Sequence, residues 1–254
     1  MELFDLAGHV SVITGGNRGI GLGMARGLAK AGARVAIWSR AEDRNRAAVA
    51  EIESLGGEAL AFSCNVADEA SVAEAMEATL EGFGFVNSLF ANAGTSGFGK
   101  FPSEFALEEW QRVIDVNLTG AFLTTRIVAN HLVERGEGGS IILTSSVASQ
   151  MTIPLAPHYT ASKGAILSLG RALANRLGRN GIRVNVLSPG WVDTEMGDPV
   201  ISNERSAEYY MQRIPLRRWG DGEDFEGPAV FLASSASRYM TGAELIVDGG
   251  ISTA

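Results

Sequence analysis

The apolar run His9-Val10-Ser11-Val12-Ile13 leads directly into Thr14-Gly15-Gly16-Asn17-Arg18-Gly19-Ile20-Gly21, and this junction narrows the possible folds more than any other stretch. The run reads as a buried strand, and the residues from Met24 to Ala31 read as a helix. Glycine is needed where backbone must approach a phosphate closely, and the free N–H groups of a starting helix then face the anion. The turn therefore reads as a phosphate cradle, with a purely structural glycine turn as the alternative. It lacks the Lys-Ser/Thr ending of a nucleoside-triphosphate loop, which disfavours a kinase or an ATPase.

Strand-like and helix-like segments alternate along the rest of the chain. Arg34 to Ser39 completes a first βαβ unit, and further segments follow at Glu42 to Leu55, Ala59 to Ser63, Val72 to Phe83, Val86 to Ala91, Ser140 to Ser146, Ile182 to Leu187 and Leu245 to Val247. Trp110, Val113, Ile114, Leu118, Ala121, Val128 and Leu132 outline one long amphipathic helix, with Asn117 near its apolar side. Ala161, Ala165, Leu169, Ala172, Leu173 and Leu177 outline another. The alternation predicts an α/β fold, a doubly wound Rossmann-type sheet, mostly parallel, with helices on both faces. With 254 residues, 46% of them hydrophobic, and no evident linker, residues 1–254 are expected to form a single domain.

Open sheets of this kind bind ligands at the carboxyl ends of their strands. The second strand stops where a carboxylate would hold the adenosine ribose 2′-hydroxyl of NAD, but the chain has Ser39 followed by Arg40. Without a carboxylate to repel a 2′-phosphate, and with a guanidinium able to grip one, NADP (NADPH) is the expected cofactor and NAD the alternative. Arg18 can assist. The competing reading of Arg40 is a solvated residue at the start of the next helix.

Tyr159 and Lys163 lie four residues apart, a spacing that stacks phenol and ammonium on one helix face. A phenol ionises near pH 10, and a neighbouring cation favours the phenolate, so the pair can serve as a general acid/base. Solvated helices show the same pairing. Ser145 and Ser146 end a strand-like run at the same sheet edge, as reacting-centre hydroxyls or as turn residues.

The formal charge of −8 argues against a broad nucleic-acid surface, and no apolar run is long enough to span a bilayer. The start Met1-Glu2-Leu3-Phe4-Asp5 gives no sign of a secretory signal, and the single Cys64 excludes an internal disulfide, so a reducing cytoplasm is expected. His9, His131 and His158 show no metal-ligand spacing, so no metal is expected. His158 can line a pocket or cap local polar groups.

In combination, Thr14-Gly15-x-x-x-Gly19-x-Gly21, Asn92-Ala93-Gly94, Asn117, Ser146, Tyr159-x-x-x-Lys163, Pro189-Gly190 and Val247-Asp248-Gly249-Gly250 resemble the compact single-domain branch of the short-chain dehydrogenase/reductase family. The resemblance runs from about Leu6 to the carboxyl end. It implies that Tyr159 donates a proton to a carbonyl or accepts one from an alcohol, and that Ser146 hydrogen-bonds the substrate oxygen. Lys163 would lower the Tyr159 pKa and grip the nicotinamide ribose, while Asn117 would hold a relay water. It also implies cofactor contacts from Gly15, Asn17, Arg18, Gly19, Ile20 and Gly21, from Asn65 and Val66 at the adenine, from Asn92, Ala93 and Gly94, and from Pro189, Gly190, Val192 and Thr194. Many relatives have Asp where this chain has Asn65.

The region 190–220 interrupts the simple alternation and is expected to close over substrate as a lid, or else to be an ordinary packed insertion. Trp191 and Met196, together with Ser96, Met151 and Ile153, are the expected substrate contacts, fitting a partly apolar ketone or secondary alcohol. A 3-oxoacyl thioester reductase and a sugar or polyol dehydrogenase would use the same groups, and a cofactor sensor without turnover is the non-enzymatic alternative. By resemblance the long helices around Asn117 and Tyr159 pair between subunits into a homotetramer.

Overall fold

The computed structural model describes residues 2–97, 106–151 and 156–253. In chain order its main elements are β1 (Val10–Thr14), α1 (Gly19–Lys30), β2 (Arg34–Trp38), α2 (Glu42–Ser54), β3 (Glu58–Phe62), α3 (Glu69–Phe83), β4 (Ser88–Ala91), α4 (Leu107–Ile114) and α5 (Gly120–Arg135). They continue with β5 (Gly139–Thr144), α6 (Pro157–Leu177), β6 (Ile182–Pro189), α7 (Asp198–Ile201), α8 (Glu204–Met211), α9 (Glu226–Ala233) and β7 (Glu244–Val247). The strands form one sheet in the order β3-β2-β1-β4-β5-β6-β7, with every pair parallel.

Strand alternation divides the core into two layers. Val10, Val12, Ala36, Trp38, Leu89 and Ile141 face one side, under α3, α5 and α6. Ile13, Val35, Ile37, Phe90 and Ile142 face the other, under α1, α2 and α9. Strands covered on both faces are buried along their length, as β1 and β4 are at every position, with Ser11 and Ser88 satisfying each other through their hydroxyls at 2.8 Å. Trp38, fully buried, donates its indole N–H to Thr79 Oγ1 at 2.9 Å, so the largest core side chain leaves no polar atom unpartnered.

From β1 the chain moves outward through β2 to β3 and then returns to β4 on the other side of β1. The strand order reverses there, opening a crevice at the carboxyl ends of β1 and β4. Thr14 ties the two ends together: its Oγ1 accepts from the backbone N–H groups of Asn92 at 2.9 Å and Ala93 at 2.8 Å, and its carbonyl accepts from Asn92 Nδ2 at 3.1 Å.

Two elements depart from the sequence expectation. The helix α1 begins at Gly19 rather than Met24 and keeps Gly21, Gly23 and Gly27 within it. Each glycine costs a helix roughly 1 kcal/mol, but here close packing demands them. A Cβ on Gly21 would lie 2.7 Å from Asn92 Nδ2, and one on Gly27 would lie 2.6 Å from Glu226 Cα. The second departure is the long helix through Asn117, which is α4 and α5 joined by a π-helical turn at Asp115–Thr119. Among the described residues, no helix is long and apolar enough to cross a membrane.

Candidate active site

The glycine turn sits at the mouth of the crevice. Gly15 and Gly19 have φ of +66° and +51°, in the left-handed region that side-chain-bearing residues avoid. Arg18 is the N-cap of α1 and makes no side-chain cap bond, so the first-turn N–H groups are available to an anion. A Cβ on Gly15 would lie 3.2 Å from Ala93 Cα, and one on Gly19 would lie 2.9 Å from Thr194 Cγ2. The turn thus fits a dinucleotide's phosphates, while Ile20 packs inward against the α1 side of the core.

Beside the turn, Asn17 Nδ2 donates to Ser39 Oγ at 2.7 Å and to Asn45 Oδ1 at 2.8 Å, and Asn45 Nδ2 donates to the Ser39 carbonyl at 2.8 Å. These bonds fix the end of β2 against the glycine turn. Asn17, Arg18, Ser39, Arg40, Ala41 and Arg44 line a pocket of about 340 Å³ there. Of these, Ala41 and Arg44 are absent from the sequence reading, as is the supporting Asn45. Arg40 precedes α2 and Arg44 lies in its first turn, so helical spacing does not link the two, and it is the folded chain that brings both to the pocket. At the end of β3, Asn65 is exposed, whereas Val66 is 7% exposed and packs within the core.

Tyr159 and Lys163 lie on α6, beside the carboxyl ends of β4 and β5. Ser145 and Ser146 separate into two roles. Ser145 Oγ donates to the Lys163 carbonyl at 2.8 Å, anchoring α6 to the strand end. Ser146 instead hydrogen-bonds the Tyr159 hydroxyl, while its Oγ accepts from the Ala148 N–H at 3.1 Å. Lys163 is 4% exposed and donates from Nζ to the Thr144 carbonyl at 2.8 Å. A Cβ on Gly94 would lie 3.6 Å from that amine and 3.5 Å from Asn117 Oδ1, so Lys163, Asn117 and the 92–94 turn converge beside the crevice.

The electrostatics correct one expectation. The sequence predicts that Lys163 pulls the Tyr159 pKa down, yet burial pushes the phenol above its ordinary value, opposed by the hydrogen bond from Ser146. The lysine stands 5.6 Å from the ring centroid, and burial drives its own pKa down to about 8. Tyr159, only partly exposed, is thus held protonated. That is the form a proton donor requires.

Asn117 is likewise more constrained than the sequence implies. Its Nδ2 donates to the Thr95 carbonyl at 2.9 Å and to Ser162 Oγ at 3.0 Å, and its Oδ1 accepts from the Thr95 N–H at 2.8 Å. Both amide hydrogens are committed to clamping the 92–97 loop against α6, so the side chain cannot donate to a relay water as well. The π turn supplies the geometry, since widening the helix by a residue turns Asn117 inward, 1% exposed.

Above this edge Trp191 and Met151 pack with Tyr210 and Trp219 on Val147, Ile214 and Ile251. The Trp191 and Tyr210 ring centroids are 4.5 Å apart. Gly190 donates its N–H to the Val247 carbonyl at 2.9 Å, next to Pro189 at the end of β6. Val192 is buried and forms a parallel bridge with Gly220, while Met196 is exposed. The Ser96 carbonyl accepts from Arg112 Nη2 at 3.1 Å, within a network in which Glu109 pairs with Arg112 and lies 3.7 Å from His158 Nε2. Burial lowers the His158 pKa, with Glu109 opposing. Ile153 lies outside the described residues.

A family model described as enoyl-(acyl carrier protein) reductase matches residues 15–252. The chain is 38% identical over 244 residues to the L-rhamnose 1-dehydrogenase (NAD(P)(+)) of Azotobacter vinelandii, covering 94% of this chain and 95% of that protein. A solved short-chain type dehydrogenase/reductase from Mycobacterium marinum superposes with a TM-score of 0.94 at 37% identity, covering 98% of both chains. The chain belongs to the short-chain dehydrogenase/reductase family. As such it is an NAD(P)-dependent oxidoreductase of CH–OH and carbonyl groups. Another solved member, a gluconate 5-dehydrogenase from Burkholderia cenocepacia in complex with NADP and tartrate, has a TM-score of 0.94 at 35% identity, covering 100% of this chain and 98% of that one.

Proposed function

We propose that this chain is an NADP(H)-dependent reductase that interconverts a polyhydroxylated ketone and its secondary alcohol, with sugars or sugar acids as the substrate class. The observation that carries the reading is the Ser146–Tyr159 hydrogen bond beside the buried Lys163 amine, at the crevice where the glycine turn can seat a dinucleotide. The bound nicotinamide would supply or take up the hydride at the carbonyl carbon. In reduction, Tyr159 gives its hydroxyl proton to the carbonyl oxygen while Ser146 donates a hydrogen bond to the same oxygen and steadies the charge developing there. Lys163 would orient the ribose, and in oxidation the Tyr159 phenolate would take the alcohol proton.

A phenol raised by burial is protonated across neutral pH, which is the form that reduction starts from. The sugar class is supported by the names of the L-rhamnose and gluconate relatives. NADP is supported by Ser39, Arg40 and Arg18 around the pocket at the end of β2. Trp191, Met151 and the segment 190–220 would close over the substrate, keeping water from the reacting centre. The single Cys64, buried and free, fits a reducing cytoplasm. Phe122 and Val133 on α5, and Trp110 on α4, are exposed apolar residues that would be covered in a homotetramer.

The test is a panel of keto-sugars, keto-acids, simple ketones and 3-oxoacyl thioesters, assayed with both cofactors on the wild type and on Ser39→Asp/Arg40→Ala. Keto-sugar or keto-acid reduction with NADPH is expected to dominate. The double variant is expected to lose about 10- to 100-fold in kcat/KM with NADPH, through the charge-assisted contacts removed, while gaining with NADH. Equal relative efficiency with the two cofactors before and after the change would defeat the NADP assignment.

A further inference from the structure

Glu195 belongs to none of the motifs discussed above, yet its carboxylate meets two guanidinium groups of the cofactor pocket. One is Arg18, at the N-cap of α1, which donates to Oε2. The other is Arg44 of α2, whose Nη2 lies 3.0 Å from Oε1 and whose Nη1 donates to Oε2 at 3.1 Å. Arg18 and Arg44 both line the pocket beside Ser39 and Arg40. Among the described residues, Arg40 has no carboxylate partner.

We propose that Glu195 is a resident anion that competes with the cofactor's 2′-phosphate for Arg18 and Arg44 and so sets how strongly the pocket prefers NADP over NAD. The proposal rests on reading the Ser39–Arg44 pocket as the 2′-phosphate site. Three guanidinium groups around one small pocket repel one another unless an anion stands among them. With a ribose 2′-hydroxyl in the pocket, Glu195 keeps both arginines paired and the cofactor displaces nothing. A 2′-phosphate has more charge and more acceptor oxygens than a carboxylate and suits forked guanidinium donors better, so it takes the arginines and Glu195 yields. NADP binding therefore bears the loss of the internal pairs. That loss is modest, since all three side chains are about half exposed and screened by solvent.

The experiment measures dissociation constants for NADPH and NADH with wild type, Glu195→Gln and Arg40→Ala at low and high ionic strength. Glu195→Gln is expected to raise the ratio of the NADH to the NADPH dissociation constant by about 3- to 10-fold at low salt, with the gain shrinking as salt rises. Arg40→Ala should lower the same ratio. If Arg40→Ala weakens NADPH while Glu195→Gln leaves the ratio unchanged, the competitor role is refuted and the pocket reading stands. Weakening of both cofactors together in Glu195→Gln would make the residue a structural brace and also refute the role. If Arg40→Ala leaves NADPH binding unaltered, the pocket reading itself falls, and Glu195 as competitor with it.

Discussion

Tyr159→Phe is expected to lower turnover by about 10²- to 10⁴-fold while leaving NADPH binding nearly unchanged, because it deletes one hydroxyl and keeps the ring. The hydroxyl hydrogen-bonds Ser146 and sits where burial raises its pKa, so the wild-type group is a neutral phenol ready to give a proton. With phenylalanine, an alkoxide forming at the carbonyl oxygen would have only the Ser146 hydroxyl to stabilise it and no donor to neutralise it. The shortfall of roughly 3–5 kcal/mol then falls on the transition state alone. Single-turnover reduction paired with NADPH titration checks both halves, and wild-type turnover in the variant would remove Tyr159 from the chemistry. The same protonation state separates the two directions. Oxidation starts from the phenolate, so below the tyrosine pKa its rate should climb about tenfold per pH unit, whereas reduction should stay flat.

Local patterns in the sequence reveal much of this site. Strand alternation, the glycine turn and the four-residue spacing of Tyr159 and Lys163 are short-range features, and the parallel α/β class, the turn after β1 and the shared helix face follow from them. What the chain hides depends on contacts between distant segments. Apolar spacing starts α1 at Met24 because glycines are poor helix formers, yet Gly21, Gly23 and Gly27 are helical because neighbouring backbone leaves no room for a side chain. The π turn at Asp115–Thr119 is invisible to periodicity, since Trp110, Val113, Ile114, Leu118 and Ala121 would space correctly on an unbroken helix.

Electrostatics was legible only in part. A Tyr-Lys pair read along one helix suggests that the cation dominates, but the sequence does not reveal how deeply both groups are buried. Desolvation acts on each of them, upward for the phenol and downward for the amine, and in the folded chain it is the leading cause for both. Ser146 supplies the opposing influence on the phenol. Glu195 gave no signal at all. Its arginine partners lie 177 and 151 residues away in the sequence, and only the folded chain brings them together.

Lys163→Met should stabilise the fold while removing about 10²-fold or more of the activity, a pairing that a purely structural lysine would not produce. The amine is 4% exposed, and its strongest described contact is with the neutral Thr144 carbonyl rather than a carboxylate. A fall from the ordinary lysine pKa of 10.5 to about 8 corresponds to a penalty on the charged form of roughly 3 kcal/mol at most. Methionine fills similar volume without charge, and the carbonyl it leaves behind offsets part of the gain, so a net increase of about 1–2 kcal/mol is expected near pH 7. The sign follows from linkage: with the folded pKa depressed, the unfolded chain binds more protons between about pH 8 and 10.5, and wild-type stability rises with pH across that window. The advantage of the variant should therefore be largest below pH 8 and shrink towards pH 10.5. Other titrating groups are common to both proteins and cancel in the comparison. Urea unfolding of the two proteins from pH 7 to pH 10 measures this difference. A destabilised variant at pH 7 would show that the buried ammonium holds the fold together, and a constant difference across the range would show that its charge is not the source of the penalty.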